Sequence, residues 1–426
     1  MRSAKLIRSI IFFIILILVL AGLSYVFMKK DSRRYKQQFL SSEAKYDALF
    51  FGSSHVHEGI DPVILWKDYG IRSYNLASAG ESVQMTYYVV REALERSTPE
   101  VIFIDSFKIG DQDELDQTYS FVHESIDAFP LNKTKLEAIE YASQFLEQNK
   151  FSFISMLYAY HGRYGELKKE DFLNEYTFDK GAYIMTSVVP AKKCVLTGTM
   201  EKAEIRGGLG IRAYKNILKL CQDKGIKCVL LSVPMKEGRF NEKYFNALKD
   251  LTEEYGGYYI EGNSAADEMG LDYDHDFGDT ESHLNLLGAK KFTDHIGAFL
   301  SNKLGVADAR GGADSAQWDA DSIRASEQKV EYLDEKKDAV SYLFGVYDEL
   351  YTAEVFVRDP ELLDRQYALR FCLDTMGIKP EAAGDEILGS SAYDMRIRVR
   401  RAGAEEQLAE QYFTFDAERN IFRTDE

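Results

Sequence analysis

The segment "GSSH", Gly52 to His55, follows a short apolar run and holds two adjacent serines. A serine is a poor nucleophile at neutral pH until a base takes its proton, so a partner histidine is required. Seven histidines are available: His55, His57, His123, His161, His275, His283 and His295. His55 and His57 share a turn with the serines and point away from them too often to serve. His55 is read as a helix cap, a substrate contact or a solvent-facing residue, and His275 and His295 as surface residues. His283, within "DHDFGDTESHLNLLGAKKF", is the better partner. It stands just before a helix, with Asp279 four residues upstream to orient it and Glu281 and Asp276 as further acids. A serine at a strand-to-helix turn also has free backbone N–H groups beside it, of the kind that stabilise a developing oxyanion.

Such residues must be carried to one edge of a sheet. Short apolar strands alternate with amphipathic helices, which predicts a parallel sheet covered on both faces. The expected strands are 46–53, 72–77, 100–106, 227–234 and 257–263, each bounded by Gly, Asp, Ser or Pro. Helices are expected over 82–97, 210–225, 241–256 and 285–304. The fold class is therefore α/β, a flavodoxin-like three-layer α/β/α domain with a parallel five-stranded sheet, over 37–304. Residues 108–200 interrupt the alternation with an aromatic-rich, mostly helical insertion containing Tyr119, Phe121, Tyr158, Tyr160, Tyr164, Tyr176 and Tyr183. It could wall a ligand crevice or form a satellite aromatic core. Residues 305–326, rich in Gly, Ala and Asp, are expected to be a linker. Beyond them 327–426 reads as a small α+β module, with a helix over 328–349 and strands that alternate as exposed ones do; no chemistry is evident in it.

Residues 10–28 contain no charge and nearly cross a bilayer core as a helix. Residues 1–36 are therefore read as an uncleaved membrane anchor with a basic juxtamembrane segment, the run being longer than a usual signal h-region with no A-x-A site after it. Arg2, Lys5 and Arg8 precede the run, while Lys29, Lys30, Arg33, Arg34 and Lys36 follow it, so charge counting alone would place the body in the cytoplasm. Residues 1–36 hold a surplus of +7, which leaves −24 on the rest of a chain of net charge −17. That body would repel nucleic acid, which excludes nucleic-acid binding from the expected functions. Cys194, Cys221, Cys228 and Cys372 show neither CxxC nor Cys/His metal spacing, so neither a metal nor a cofactor is expected. Cys221 and Cys228 flank a helix-to-strand turn and are read as a disulfide or as buried free thiols.

"FGSSH" after the first strand, "NLASAG" after the second and "D…SHLNLLGA" before the last helix together resemble the SGNH (GDSL-type) hydrolase superfamily. More narrowly they are similar to its membrane-anchored, extracytoplasmic branch, which includes alginate acetylation proteins and the D-alanyl transfer protein of teichoic acids. The resemblance covers about residues 45–304. It implies that Ser54 is the nucleophile, with Ser53 in place of the family's Asp, that His283 accepts its proton, and that Asp279 orients His283. It also implies an oxyanion hole from the N–H groups of Ser54 and Gly80. Two positions depart from the family pattern. The Asn of the third block is missing, Ser106 and Phe107 standing there instead, which leaves Asn75 or Ser106 as a third donor. The family's D-x-x-H is here D-x-x-x-H.

The function so implied is a membrane-tethered, extracytoplasmic serine acyltransferase or esterase. It would act on acyl groups, O-acetyl foremost, of a cell-envelope glycan through an acyl-serine intermediate. Its partners would be the acylated glycan or acyl donor and an integral-membrane protein that supplies acyl groups. The alternative is a non-catalytic envelope-assembly or carbohydrate-binding protein on the same scaffold.

Overall fold

The computed structural model describes residues 2–111, 113–173 and 175–424. Helix α1 (Arg2–Phe27) includes an apolar stretch, Lys5–Phe27, of mean hydropathy 3.0, exposed along most of its length and partly covered only near its end at Ser24, Val26 and Phe27. At about 1.5 Å per residue it is long enough to cross a bilayer core. Helix α2 (Asp31–Ser41) follows after a three-residue break and packs onto the domain. Tyr35 donates to the Ala77 carbonyl at 2.6 Å, Phe39 is 1% exposed, and the Lys36 ammonium is buried against Glu81 at 3.2 Å and Ser78 at 3.0 Å. This corrects the expected boundary at 36/37. Tyr35 and Lys36 belong to the α/β domain, because an ammonium lodged beside a fully buried carboxylate is part of the core.

The sheet is formed by β1 (Ala48–Phe51), β2 (Ser73–Asn75), β3 (Val101–Asp105), β4 (Lys227–Ser232) and β5 (Tyr258–Glu261). All neighbours are parallel and the order is β2-β1-β3-β4-β5, the flavodoxin-like arrangement. Side chains alternate between the two faces. Leu49, Phe51, Ile102, Ile104 and Leu230 enter one apolar layer, and Ala48, Phe50, Val101, Phe103, Val229 and Leu231 the other. Helix α5 (Val83–Leu94) and the helix Leu209–Lys224 cover the first face. Helices α3 (Ser54–Gly59), α4 (Pro62–Tyr69) and Leu286–Ala298 cover the second. Strand order reverses at β1, so the crevice expected in open α/β sheets lies off its carboxyl end, where Ser54 begins α3.

The insertion after β3 packs its rings mainly among themselves. His123 lies 4.6 Å from Tyr119, 5.2 Å from Phe153 and 5.3 Å from Tyr160, and Asp127 accepts from both His123 and Tyr160 at 2.7 Å. Tyr158, Tyr164, Tyr176 and Tyr183 remain exposed.

The expected linker is largely helix. Ser315–Glu331 forms one helix whose Trp318, 4% exposed, packs on Trp66 and Tyr46, while Trp66 Nε1 donates to Asp319 at 2.9 Å. One buried tryptophan outweighs a composition that otherwise reads as a spacer. The helix expected over 328–349 is the end of this helix followed by a separate one, Ala339–Gly345. The C-terminal sheet, ordered β10-β9-β8-β6-β7, consists of β6 (Tyr351–Val357), β7 (Glu381–Ala382), β8 (Met395–Arg401), β9 (Gln407–Asp416) and β10 (Ile421–Arg423). Its strands are only half exposed: Met395, Ile397 and Val399 face a core with Tyr342, Cys372 and Phe413, and Arg396, Arg398 and Arg400 face outward. Leu286 and Leu287 of the α/β domain enter this same core. All four cysteines are buried free thiols.

Candidate active site

The turn after β1 is built by Gly52 and Ser53. Gly52 has φ +139°, and a Cβ there would stand 2.2 Å from Asp105 Cβ, so no other residue fits without displacing β3. Asp105 accepts from the Ser53 N–H at 3.1 Å, from the Ser53 hydroxyl at 2.5 Å and from the Phe107 N–H at 2.9 Å. Ser53 is thereby spent as the N-cap of α3, and Ser54, half-buried at the first helical position, is free to face the loop before Leu286–Ala298.

That loop brings His283 and Asp279 to it. His283 Nε2 lies 2.7 Å from Ser54 Oγ, and His283 Nδ1 lies 2.6 Å from Asp279 Oδ2. With an ionised Asp279, Nδ1 donates to the carboxylate and Nε2 is left to accept from the serine hydroxyl. Burial acts to raise the Asp279 pKa, but the hydrogen bond and charge of His283 and the N–H groups of His283 and Glu281 overcome it and hold the carboxyl below its usual range. The D-x-x-x-H spacing closes through a local curl. Ser282 adopts φ +79°, the Gly278 N–H donates to the His283 carbonyl at 2.9 Å, and Asp279 Oδ1 accepts from the N–H groups of Glu281 and His283. The curl leaves Oδ2 facing the imidazole. Asn285 anchors the loop from behind: its Oδ1 caps the helix at Leu287 and Gly288, and its Nδ2 donates to the carbonyls of His275, Phe277 and Ser187.

The other named residues divide. Gly80, at φ +60°, has no room for a Cβ, which would meet Phe121 at 2.4 Å. Among the described residues the N–H groups of Ser54 and Gly80 donate to no protein acceptor, as oxyanion donors should not. Asn75 is committed elsewhere: its Nδ2 donates to the Val56 and Ile60 carbonyls at 2.8 and 3.2 Å, pinning the end of α3 to the sheet. Ser106 gives its N–H to the Leu231 carbonyl. Asp276 pairs with Lys291 and Glu281 with Arg239, so neither serves His283.

His55 is 2% exposed, not solvent-facing. Its ring sits 4.1 Å from Phe107 and 4.8 Å from His283, and burial, then the neighbouring His283, push its pKa down to about 3, so it stays neutral. His275 also lies inward, stacked 3.6 Å from Phe371 of the C-terminal module. Glu58, which sequence reasoning passed over, puts Oε2 3.6 Å from His283 Nδ1, and burial, opposed by His283, pushes its pKa up to about 7. Its only sequence signal is its place four residues after Ser54, one helical turn along.

A cavity of about 320 Å³ opens beside α3, walled by His57, Glu58, Ser78, Ala79 and Tyr183 among others. Two larger ones, about 430 and 410 Å³, lie where the C-terminal module meets the α/β domain, and none of the three has Ser54 or His283 in its walls. Cavity size therefore does not locate the chemistry; the Ser54–His283–Asp279 geometry does. Among the described residues no group of three or more His, Cys, Asp or Glu side chains is disposed to hold a metal ion.

No family model matches the chain, and no curated protein does. A crystal structure from Parabacteroides merdae ATCC 43184, described as a "putative GDSL-like lipase", is similar at 12% identity and a TM-score of 0.29, over 61% of this chain and 97% of that one. At that score the likeness carries no weight, and the site stands on its own geometry.

Proposed function

We propose that this chain is a membrane-tethered serine esterase or O-acyltransferase that works through an acyl-Ser54 intermediate. The observation that carries the reading is the continuous chain of contacts from Ser54 Oγ through the His283 imidazole to Asp279, at 2.7 and 2.6 Å. In the first half-reaction His283 Nε2 takes the Ser54 proton as Oγ attacks an ester carbonyl. The carbonyl oxygen becomes an oxyanion held by the N–H groups of Ser54 and Gly80. Collapse expels the alkoxide, which takes the proton back from His283 and leaves as an alcohol. In the second, water or a sugar hydroxyl attacks the acyl-serine by the same route, giving acid or a new ester.

The substrate class is an acylated glycan of the cell envelope, with O-acetyl the leading acyl group, and the body is extracytoplasmic. An apolar helix long enough to cross a membrane supports the tether. The tether would raise the effective concentration near surface polymer and near a membrane protein that supplies acyl groups. Of the five cations after α1, Lys36 is buried against Glu81 and serves folding, which weakens the charge count that favours the cytoplasm. A C-terminal reporter fusion active only in the cytoplasm would overturn the location. Envelope glycan acylation unchanged by Ser54→Ala in cells would overturn the substrate assignment. The short Asp279–His283 contact favours this reading over a scaffold that has lost its charge relay.

A further inference from the structure

Glu58 has no part in the mechanism above, yet its position is hard to explain otherwise. It lies near the carboxyl end of α3, where a negative charge opposes the helix dipole, so it does not serve the helix. Its Oε2 is buried with no hydrogen-bond partner, a costly state for a carboxylate oxygen. That same oxygen is 3.6 Å from His283 Nδ1, the nitrogen that Asp279 holds at 2.6 Å. A small rotation of either side chain would close the gap.

We propose that Glu58 is a positioning residue, a second carboxylate acceptor for the His283 Nδ1–H, so that the imidazole is steered by a forked pair of acids. The proposal rests on the reading of His283 as the base for Ser54. The two arms differ in what they are fixed to. Asp279 rides on a partly exposed loop, whereas Glu58 rides on the helix that Ser54 begins, one turn along, with α3 pinned to the sheet by Asn75. If the loop shifts, Glu58 keeps the imidazole in register with the nucleophile.

The ionisable surroundings set when this arm is charged. His283 and Asp279 face Glu58 from the loop, and His57 shares its helix. Across the cavity stand Lys29, Tyr35, Glu124, Asp179 and Tyr183. Burial pushes Glu58 up to about 7, with His283 pulling down and Asp279 pushing up. Below that pH the arm is a neutral acid and contributes little. Above it the arm is a second anion beside the imidazole and favours the imidazolium that forms as Ser54 gives up its proton.

The test uses the full-length chain in detergent, with histidines ¹³C-labelled at Cε1 and the His283 signal assigned from His283→Gln. The titration of His283 is followed from pH 5 to 9 in the wild type, Glu58→Gln, Asp279→Asn and the double variant. Loss of Glu58 is expected to displace the His283 signal above pH 7, where this arm is charged, and most clearly in the Asp279→Asn background. In parallel, the rate of labelling by a fluorophosphonate should be about tenfold lower in the double variant than in Asp279→Asn at pH 8, and within about threefold at pH 6. The proposal is overturned if Asp279→Asn and the double variant titrate alike at His283. A wild type that takes no label would instead sink the serine-enzyme reading, while the titration still decides the role of Glu58.

Discussion

Replacing Gly52 by alanine would drive a methyl group into Asp105 Cβ at a backbone φ that L-residues rarely adopt, and Asp105 is the acceptor that fixes Ser53. Gly52→Ala is therefore expected to lower the denaturation midpoint and to slow fluorophosphonate labelling together, because the same turn carries stability and the nucleophile. Asn75→Ala should cost about 1–3 kcal/mol in denaturant unfolding, since it strands the buried Ile60 carbonyl and leaves the Val56 carbonyl with the Ile60 N–H alone. Stability should also depend on pH with two opposed contributions. His55 is held down to about 3, so its contribution is present above pH 6.5 and is lost as pH falls toward 3. Glu58 is held up to about 7, so its contribution is present below about 4.5 and is lost as pH rises through 7. Glu58→Gln should accordingly gain stability relative to the wild type at pH 8 compared with pH 5, read from unfolding midpoints at both. Ser54 stands out in the sequence because it follows a buried strand and begins a helix, and His283 because it precedes one, whereas Asp279 lies mid-loop and is marked only by its spacing from His283. Glu58 is not, since a lone glutamate on a short helix looks solvated until the loop from 272–285 is folded over it. Of the readings open for His55 only the solvent-facing one fails, for the same reason: Phe107 and His283, which bury it, come from distant segments.

Among the elements, α2 is the least legible. "DSRRYKQQFLS" reads as a basic juxtamembrane spacer, and only Tyr35, Lys36 and Phe39 mark the face that packs. Lys36→Met would leave Glu81 buried without its counter-charge and is expected to cost about 3–5 kcal/mol. Chains beginning at residue 30 should express as folded protein, and chains beginning at 42 should not, as judged by protease resistance. Strands β1 to β4 and the covering helices were readable because buried parallel strands are continuous apolar runs and their helices carry a clear apolar stripe; β5, an edge strand and only partly buried, was marked by its flanking glycines. The helix Ser315–Glu331 was not, because a run of small and acidic residues hides the one Trp318 that anchors it. β7, two residues long, is too short to leave a pattern.

For the whole molecule, the C-terminal module acts as a buttress for the reactive loop. Phe371 and Tyr367 stack on His275, and Leu286 and Leu287, at the start of the helix after His283, are buried in the module's own core. Segment 185–189 braces the loop from the other side, with Met185 accepting from the Leu286 N–H and Ser187 donating to the Gly278 carbonyl. Phe371→Ala, far in sequence from the nucleophile, is therefore expected to slow labelling of Ser54, by up to about 10²-fold if the imidazole is displaced by an ångström. This coupling was invisible in the sequence, where the module showed no chemistry, because it acts through packing alone. All of these effects on labelling depend on Ser54 being a nucleophile activated by His283. The most direct measurement of that role is fluorophosphonate labelling of the full-length chain in detergent, with the adduct mapped by peptide mass spectrometry. An adduct is expected on Ser54, lost in Ser54→Ala and reduced by at least about 10³-fold in His283→Ala. No adduct on the folded wild type, or an adduct that persists in Ser54→Ala, would contradict that role.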